Sequence, residues 1–226
     1  MIYSAQVLDH GSIELDAEMA TDLSVINAAR VSLNKKSEFV DQGGEKLINF
    51  LMKKKHGTPF EHNSFRFRVK APIFVFREWH RHRIGHSYNE WSARYSMMEP
   101  VFYIPTHVVQ QTGKAGDYTF SPAPEDLAGL FRSELRFHCE ESYKRYEDAV
   151  ANGISKQQAR FMLPVNVYSQ MIWTCNARSL MNFLVLRNHD AAQWEIRQYA
   201  IAAEEMFAAI MPITYRCFIE NGRVAP

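Results

Sequence analysis

The sequence predicts an α+β fold: a central, mostly antiparallel sheet with flanking helices and a helix-rich C-terminal half. Three observations lead there. Strand-like alternation is concentrated early, most clearly in "SFRFRVK", where Phe65, Phe67 and Val69 alternate with Arg66, Arg68 and Lys70. The later half instead carries apolar residues at helical spacing, interrupted by Gly153 and Pro164. Strands therefore precede helices and do not alternate with them as βαβ units would.

Taken in order, residues 1–14 read as short strands with a turn at Gly11, and residues 23–33 as an amphipathic helix carrying Val25, Ala28, Ala29 and Leu33. "LNKKSEF" is polar and loop-like. "GEKLINFLMKKKHG" predicts a helix with Leu47, Ile48, Leu51 and Met52 as its apolar stripe, lysines in its last turn and Gly57 as its stop. After the strand at 64–70, Pro72 opens a predicted helix through Arg83. Between Pro105 and Pro124 apolar periodicity is weak, which predicts a long surface loop; an interdomain linker is the other reading. Neither side alone carries a complete set of elements, so residues 1–226 are expected to form one domain. A helix from Glu125 to Asn152 follows, with Leu127, Phe131, Leu135, Cys139, Tyr143, Tyr146 and Val150 on one stripe. Shorter helices are expected at 156–163, 177–187 and from Ala191 to about Ile210, the last with a capping box of Asp190 and Gln193.

Composition limits the function classes. Hydrophobic residues make up 46% and charged residues 23%, ordinary for a protein with a real core. The net charge of +1 offers no global field to recruit nucleic acid or a membrane surface, so positive charge must act locally. The N-terminus lacks a signal-peptide pattern, and no apolar run approaches the ~18 residues of a membrane span. Cys139, Cys175 and Cys217 show no CxxC spacing, which argues against a disulfide scaffold or structural zinc and for a reducing, cytoplasmic setting. His80, His82 and His86 lack a carboxylate at metal-site spacing, so no metal is expected. No standard nucleotide fingerprint appears either.

Against that neutral background, "RHRIGHSYNEWSARY" (81–95) concentrates three arginines and two histidines among aromatics. It reads as a solvated helix end, a nucleic-acid or metal site, or a pocket for a small polyanion. On a helix, Arg77 and Arg81 would share a face, as would Glu78 and His82. In an extended chain, Glu90, Ser92 and Arg94 would point to one side, an acceptor and two donors suited to a sugar hydroxyl and a phosphate. "HGTPFEH" places Thr58, Pro59 and Glu61 as a capping box whose free N–H groups could hold phosphate. In "NARSLMNFLVLRNHD", Asn176 suits an N-cap, and Arg187 falls on the stripe of Leu180, Phe183 and Leu184. It either snorkels past the helix end or turns inward to meet an anion or acceptor. Arg160, in "KQQARFMLP", reads as a surface arginine.

These segments resemble the flavin-dependent thymidylate synthases. "RHRIGHSYNEWSARYS" is similar to that family's RHR-to-Ser signature, and "TPFEH", "APIFVFREW", "FYIP", "ARFMLP", "WTCNARSLMNFLVLR" and "QWEIRQYA" follow in the family's order. The chain departs from the pattern at three points. Eight residues separate Arg83 from Ser92 instead of the usual seven, with the extra one at Gly85 or His86. Glu78 stands where glutamine is common, and Ala191 where the family often has a histidine, with His189 nearby. The resemblance implies a homotetramer with active sites at subunit interfaces. It also implies reductive methylation of dUMP to dTMP, with methylenetetrahydrofolate as carbon donor and FAD reduced by NADPH. It places FAD contacts on Thr58, Arg81, His82, Arg83, Glu90, Asn176, Ala177, Arg178 and Asn182. Nucleotide contacts fall on Glu78, Trp79, His80, Arg81, Glu90, Ser92, Ala93, Arg94, Arg160 and Arg187, with Arg187, Ser92 and Glu90 as the catalytic set. Arg187 would polarise the uracil. Two other readings are a single-stranded nucleic-acid binder, which would need a broader basic surface, and a flavin-binding homologue without synthase activity.

Overall fold

The computed structural model describes residues 3–226. The strands are β1 (Ser4–Val7), β2 (Gly11–Met19), β3 (Ser64–Pro72), β4 (His86–Glu90), β5 (Val109–Lys114), β6 (Asp117–Pro122) and β7 (Tyr168–Cys175). The helices are α1 (Asp22–Arg30), α2 (Gln42–Lys53), α3 (Ile73–Trp79), α4 (Glu125–Ala151), α5 (Lys156–Ala159), α6 (Ala177–Arg187), α7 (Trp194–Ile210) and α8 (Pro212–Glu220). Five strands form a sheet of order β1-β2-β3-β7-β4, with β1/β2, β2/β3 and β4/β7 antiparallel. The α+β expectation, with a helical C-terminal half, holds. No helix among the described residues is long and apolar enough to cross a membrane.

The chain divides into two compact units, Met1–Trp91 with Gln170–Pro226, and Ser92–Ser169. In the first, β3 behaves as its alternation dictates: Phe65, Phe67 and Val69 are fully buried while Arg66 and Arg68 face water. Its buried face meets Trp173 of β7, stacked on Phe67 at 4.8 Å between centroids, and the aromatic core continues through Trp79 and Phe183. Such pairs contribute roughly 0.5–1.5 kcal/mol each beyond area burial. Gly11 opens β2 and does not form the turn itself. A Cβ there would lie 2.0 Å from the Tyr199 hydroxyl, which donates to the Lys70 carbonyl at 2.7 Å.

Two elements of this unit were not anticipated. β7 fills the sheet between β3 and β4, and α8 follows α7 after a break at Met211. Asp22 caps α8 from across the fold, accepting from the Ile213 and Thr214 amides at 3.0 and 2.8 Å and the Thr214 hydroxyl at 2.6 Å. The expected boundaries shift elsewhere. α2 ends at Lys53, and Lys55 takes the left-handed conformation (φ 57°) before Gly57 is reached. α7 starts at Trp194, not Ala191, because residues 189–192 form a turn through the Ala192 N–H to His189 carbonyl bond. The Asp190–Gln193 capping box is absent: Asp190 pairs with Arg197 at 2.7 Å, and the Gln193 side chain donates to Glu195.

In the second unit the segment expected to be a loop forms a hairpin of β5 and β6, in register from Val109↔Pro122 to Lys114↔Asp117 and exposed along both strands. α4 spans 27 residues, about 40 Å. It buries Ala128, Cys139, Ser142 and Tyr146 but leaves Leu127 and Phe131 46% and 47% exposed. The predicted stripe is thus covered only toward its C-terminal half.

Candidate active site

α3 stops at Trp79, four residues before the predicted end. The helix closes in a tighter last turn, with the His82 amide on the Trp79 carbonyl at 3.0 Å, and the Tyr88 hydroxyl shares its one proton between the carbonyls of His82 (2.7 Å) and Trp79 (3.1 Å). Arg81, His82 and Arg83 therefore lie on a turn, and the Arg77/Arg81 helical face does not form. The chain then enters β4, where His86, Tyr88 and Glu90 share one face.

This turn and the start of α6 enclose an open cavity of ≈ 680 Å³ lined by Arg81, His82, Arg83, Asn176, Arg178 and Asn182, together with Glu61 and residues 84–86 and 179. Six of the nine sequence-predicted cofactor contacts thus meet at one cavity. Asn176 is the expected N-cap, accepting from the Ser179 amide at 2.9 Å. Arg178 is braced by Glu61 (2.6 Å) and the Pro226 carbonyl (2.5 Å). Arg81 and Arg83 carry no ion pair among the described residues, so two guanidiniums are available to an anion. Three cations facing one carboxylate suit the two negative charges of a dinucleotide pyrophosphate. The Thr58–Glu61 segment is a 3₁₀ turn whose N-cap is Gly57 and makes no side-chain cap bond, so the predicted capping box is absent and Glu61 serves Arg178 instead. Ala177 is fully buried and its amide donates to Asn63, which makes it a support rather than a surface.

Arg187 ends α6 and turns inward, with its side chain 18% exposed. Nε donates to His82 Nε2, Nη1 to Glu78 Oε2 and Nη2 to the Glu78 carbonyl, each at 2.9 Å. This fixes the His82 tautomer with its proton on Nδ1. Burial, then Arg187, then His86 hold the His82 imidazole down to about 4, so it is neutral near pH 7. Burial raises the Glu78 carboxyl while Arg187 opposes that rise. Three of the five guanidinium N–H groups are committed internally, leaving two for a ligand. Glu90 is half-buried at the end of β4, opposite Met171. His80 packs edge-on against Tyr88 at 4.9 Å. Trp79 is fully buried, so its indole presents no surface to a nucleotide. His189 is exposed and accepts from the Ala191 amide at 3.1 Å; it does not line the cavity.

In the second unit the predicted extended run through Ser92 and Arg94 is instead a turn, closed by the Tyr95 amide on the Ser92 carbonyl at 3.0 Å. The turn still joins the two side chains: Arg94 Nε donates to Ser92 Oγ at 3.2 Å, and the guanidinium stacks over Tyr95. Ala93 is buried between them in sequence. Lys156, which no sequence motif marks, reaches the Tyr95 carbonyl at 3.3 Å. Arg160 is exposed and donates to Gln157.

The cysteines are free and buried. Burial pushes the Cys139 thiol up, that of Cys217 to about 11 and that of Cys175 well above its usual range, so each is held as thiol.

A family model described as "Thymidylate synthase complementing protein" matches residues 14–213. The flavin-dependent thymidylate synthase of Thermotoga neapolitana is 45% identical over 215 residues, covering 95% of this chain and 93% of that protein. That of Streptomyces coelicolor is 43% identical over 229 residues, with the same coverage. Among solved structures, the UMP/dUMP methylase PolB from Streptomyces cacaoi, bound with 5-Br UMP, superposes with a TM-score of 0.89 at 38% identity, covering 98% of this chain and 100% of that one. With the 5-Br dUMP complex the TM-score is 0.88 at 39% identity. The chain belongs to the thymidylate synthase complementing protein family, the flavin-dependent thymidylate synthases.

Proposed function

We propose that the protein methylates dUMP to dTMP reductively, in the cytoplasm, with methylenetetrahydrofolate as carbon donor and NADPH as reductant of bound FAD. The carrying observation is Arg187: an inward guanidinium with two uncommitted N–H groups, fixed by Glu78 and His82, and sharing His82 with an arginine-lined cavity. Arg81, Arg83 and Arg178 would neutralise the FAD pyrophosphate, with His82, Asn176, Asn182, Thr58 and Glu90 as further contacts. The flavin supplies the hydride chemistry that side chains lack. Arg187 donates to a uracil carbonyl and stabilises the negative charge that makes C5 nucleophilic. Glu78, His80, Arg81, Glu90, Ser92, Ala93, Arg94 and Arg160 are the proposed nucleotide contacts. A cysteine adding to C6 is the alternative route to activating the ring, and the buried thiols argue against it. The apolar side chains left bare along α4, including Leu130 at 60% and Phe137 at 64% exposure, support association into the expected homotetramer.

The test is tritium release from dUMP labelled at C5, with and without NADPH and methylenetetrahydrofolate. Release that depends on both, from yellow protein with no affinity for oligonucleotides, is the expected result. Flavin-loaded protein that releases no tritium defeats the synthase reading, and UMP run in parallel reports the breadth of substrate.

A further inference from the structure

The residues between α3 and β4 carry Arg81 and Arg83 to the cavity without regular structure of their own. A loop that positions two unpaired cations needs ties, and three are present. The Ser179 hydroxyl donates to the Ile84 carbonyl at 2.9 Å. Gly85 adopts the left-handed conformation (φ +71°) and sits so close to α6 that a Cβ would lie 2.1 Å from Ser179 Oγ and 3.0 Å from Asn176 Nδ2. His86 Nδ1 accepts from Trp173 Nε1 at 2.9 Å, with the two rings nearly parallel. Ser179 is itself fixed, because its amide is the one that Asn176 caps. Ile84, Gly85, His86, Asn176 and Ser179 all lie in the cavity wall beside the two arginines.

We propose that Ser179 and Gly85 form a latch that pins the arginine-bearing turn to the start of α6, and so act as positioning residues for the dinucleotide. The inference rests on the reading of this cavity as the FAD site. The turn passes α6 through a left-handed backbone step at Gly85 that glycine makes with the least strain. The serine hydroxyl fills the space a side chain at position 85 would take. Neither residue needs to touch the flavin; their effect is to fix where Arg81 and Arg83 stand, and a cation displaced by an ångström loses much of its charge-assisted bond.

The experiment titrates FAD into apoprotein by flavin fluorescence for the wild type, Ser179→Ala, Gly85→Ala and the double variant, alongside the apoprotein Tm of each. Ser179→Ala is expected to weaken FAD roughly threefold, the loss of one hydrogen bond, and Gly85→Ala about tenfold or more, from left-handed strain and the clash. The double variant should bind FAD more tightly than Gly85→Ala, because the oxygen that the new Cβ strikes is gone. Ser179→Ala removes atoms without adding any, so it carries the test should Gly85→Ala fail to fold. Unchanged FAD affinity in the folded variants, even with a lowered Tm, overturns the latch, as do single effects that simply add. A wild-type protein that binds no FAD overturns the flavin reading and the latch with it.

Discussion

Replacing Arg187 by alanine removes three bonds at once and leaves two groups changed. Glu78 keeps a carboxylate that burial already disfavours, now without its cation, and His82 loses the donor on Nε2. Breaking a fully buried pair costs about 3–5 kcal/mol. With the two side chains 18% and 26% exposed, solvent screening reduces this to about 2–3 kcal/mol. For a chain of this length roughly 2–4 °C of Tm goes with each kcal/mol, so the apoprotein should melt about 5–10 °C lower. Arg187 is also the second cause, after burial, of the low His82 value. The His82 imidazole, followed by NMR titration, should therefore move up from about 4 while staying below the ordinary histidine range, since burial remains. Flavin should be retained, and methylation should fall by about 10²–10³, the usual consequence of losing a donor to a developing oxyanion. Full turnover in Arg187→Ala, or a His82 titration that does not move, refutes this account of the guanidinium.

Two further outcomes are expected. Ser92→Ala removes the hydroxyl that Arg94 Nε engages and should weaken dUMP binding several-fold with FAD affinity unchanged; identical nucleotide titrations would remove Ser92 from the site. Stability should also fall in mild acid. His82 and His86 are both held down to about 4, chiefly by burial, whereas the unfolded chain takes up these protons below about pH 6.5. Their contribution is thus fully present above pH 6.5 and is lost as pH falls toward 4, by about 2–3 kcal/mol per residue. Glu204, where burial is outweighed by bonds from Arg223 and Asn188, is lowered and adds to the loss, while Glu78, which is raised, offsets part of it. Urea midpoints at pH 7, 5.5 and 4.5 measure the slope, and a flat profile contradicts the two neutral imidazoles.

How much of this was legible in the sequence depended on whether a signal was local. The β3 alternation, the α6 cap at Asn176 and the inward stripe ending at Arg187 are written in consecutive residues, and all three formed. β7 was readable too: Met171, Trp173 and Cys175 alternate with Gln170, Ile172 and Thr174, but the short run sits directly against the α6 helical pattern and was hidden by it. The end of α3 was not readable, because the turn that follows it is held by Tyr88, whose hydroxyl reaches carbonyls six and nine positions earlier through a tertiary contact. The same holds for α8, whose cap is Asp22, nearly two hundred residues away. Ser92 and Arg94 were paired for the wrong reason: a strand was expected to align them and a turn does so. The hairpin at 109–122 has polar residues on both faces, so no period marked it. Most of the cavity residues were named, while Ser179, whose hydroxyl looks like an ordinary polar residue in a helix, was not.

The arrangement also explains why one helix accounts for so much of the site. α6 has 11 residues, about 16 Å, and is stiff over that length. Its first turn presents Asn176 and Arg178 to the cavity, and its last residue presents Arg187 to Glu78 and His82. The separation between the proposed pyrophosphate contacts and the proposed uracil contact is therefore set by a helical rise and not by loop geometry. Both ends are tied down. At the start, Asn63 holds the Ala177 amide and Pro226 the Arg178 side chain. At the end, the C-cap residue Asn188 donates to Glu204 at 2.7 Å, and that carboxylate is gripped on its two oxygens by Arg223 and also receives the Tyr215 hydroxyl. A carboxylate 6% exposed is costly unless its lone pairs are filled, and here four donors fill them. Loss of Arg223 would release one end of α6 without touching either ligand contact directly, so its effect on turnover should exceed what its own ion pair contributes to stability.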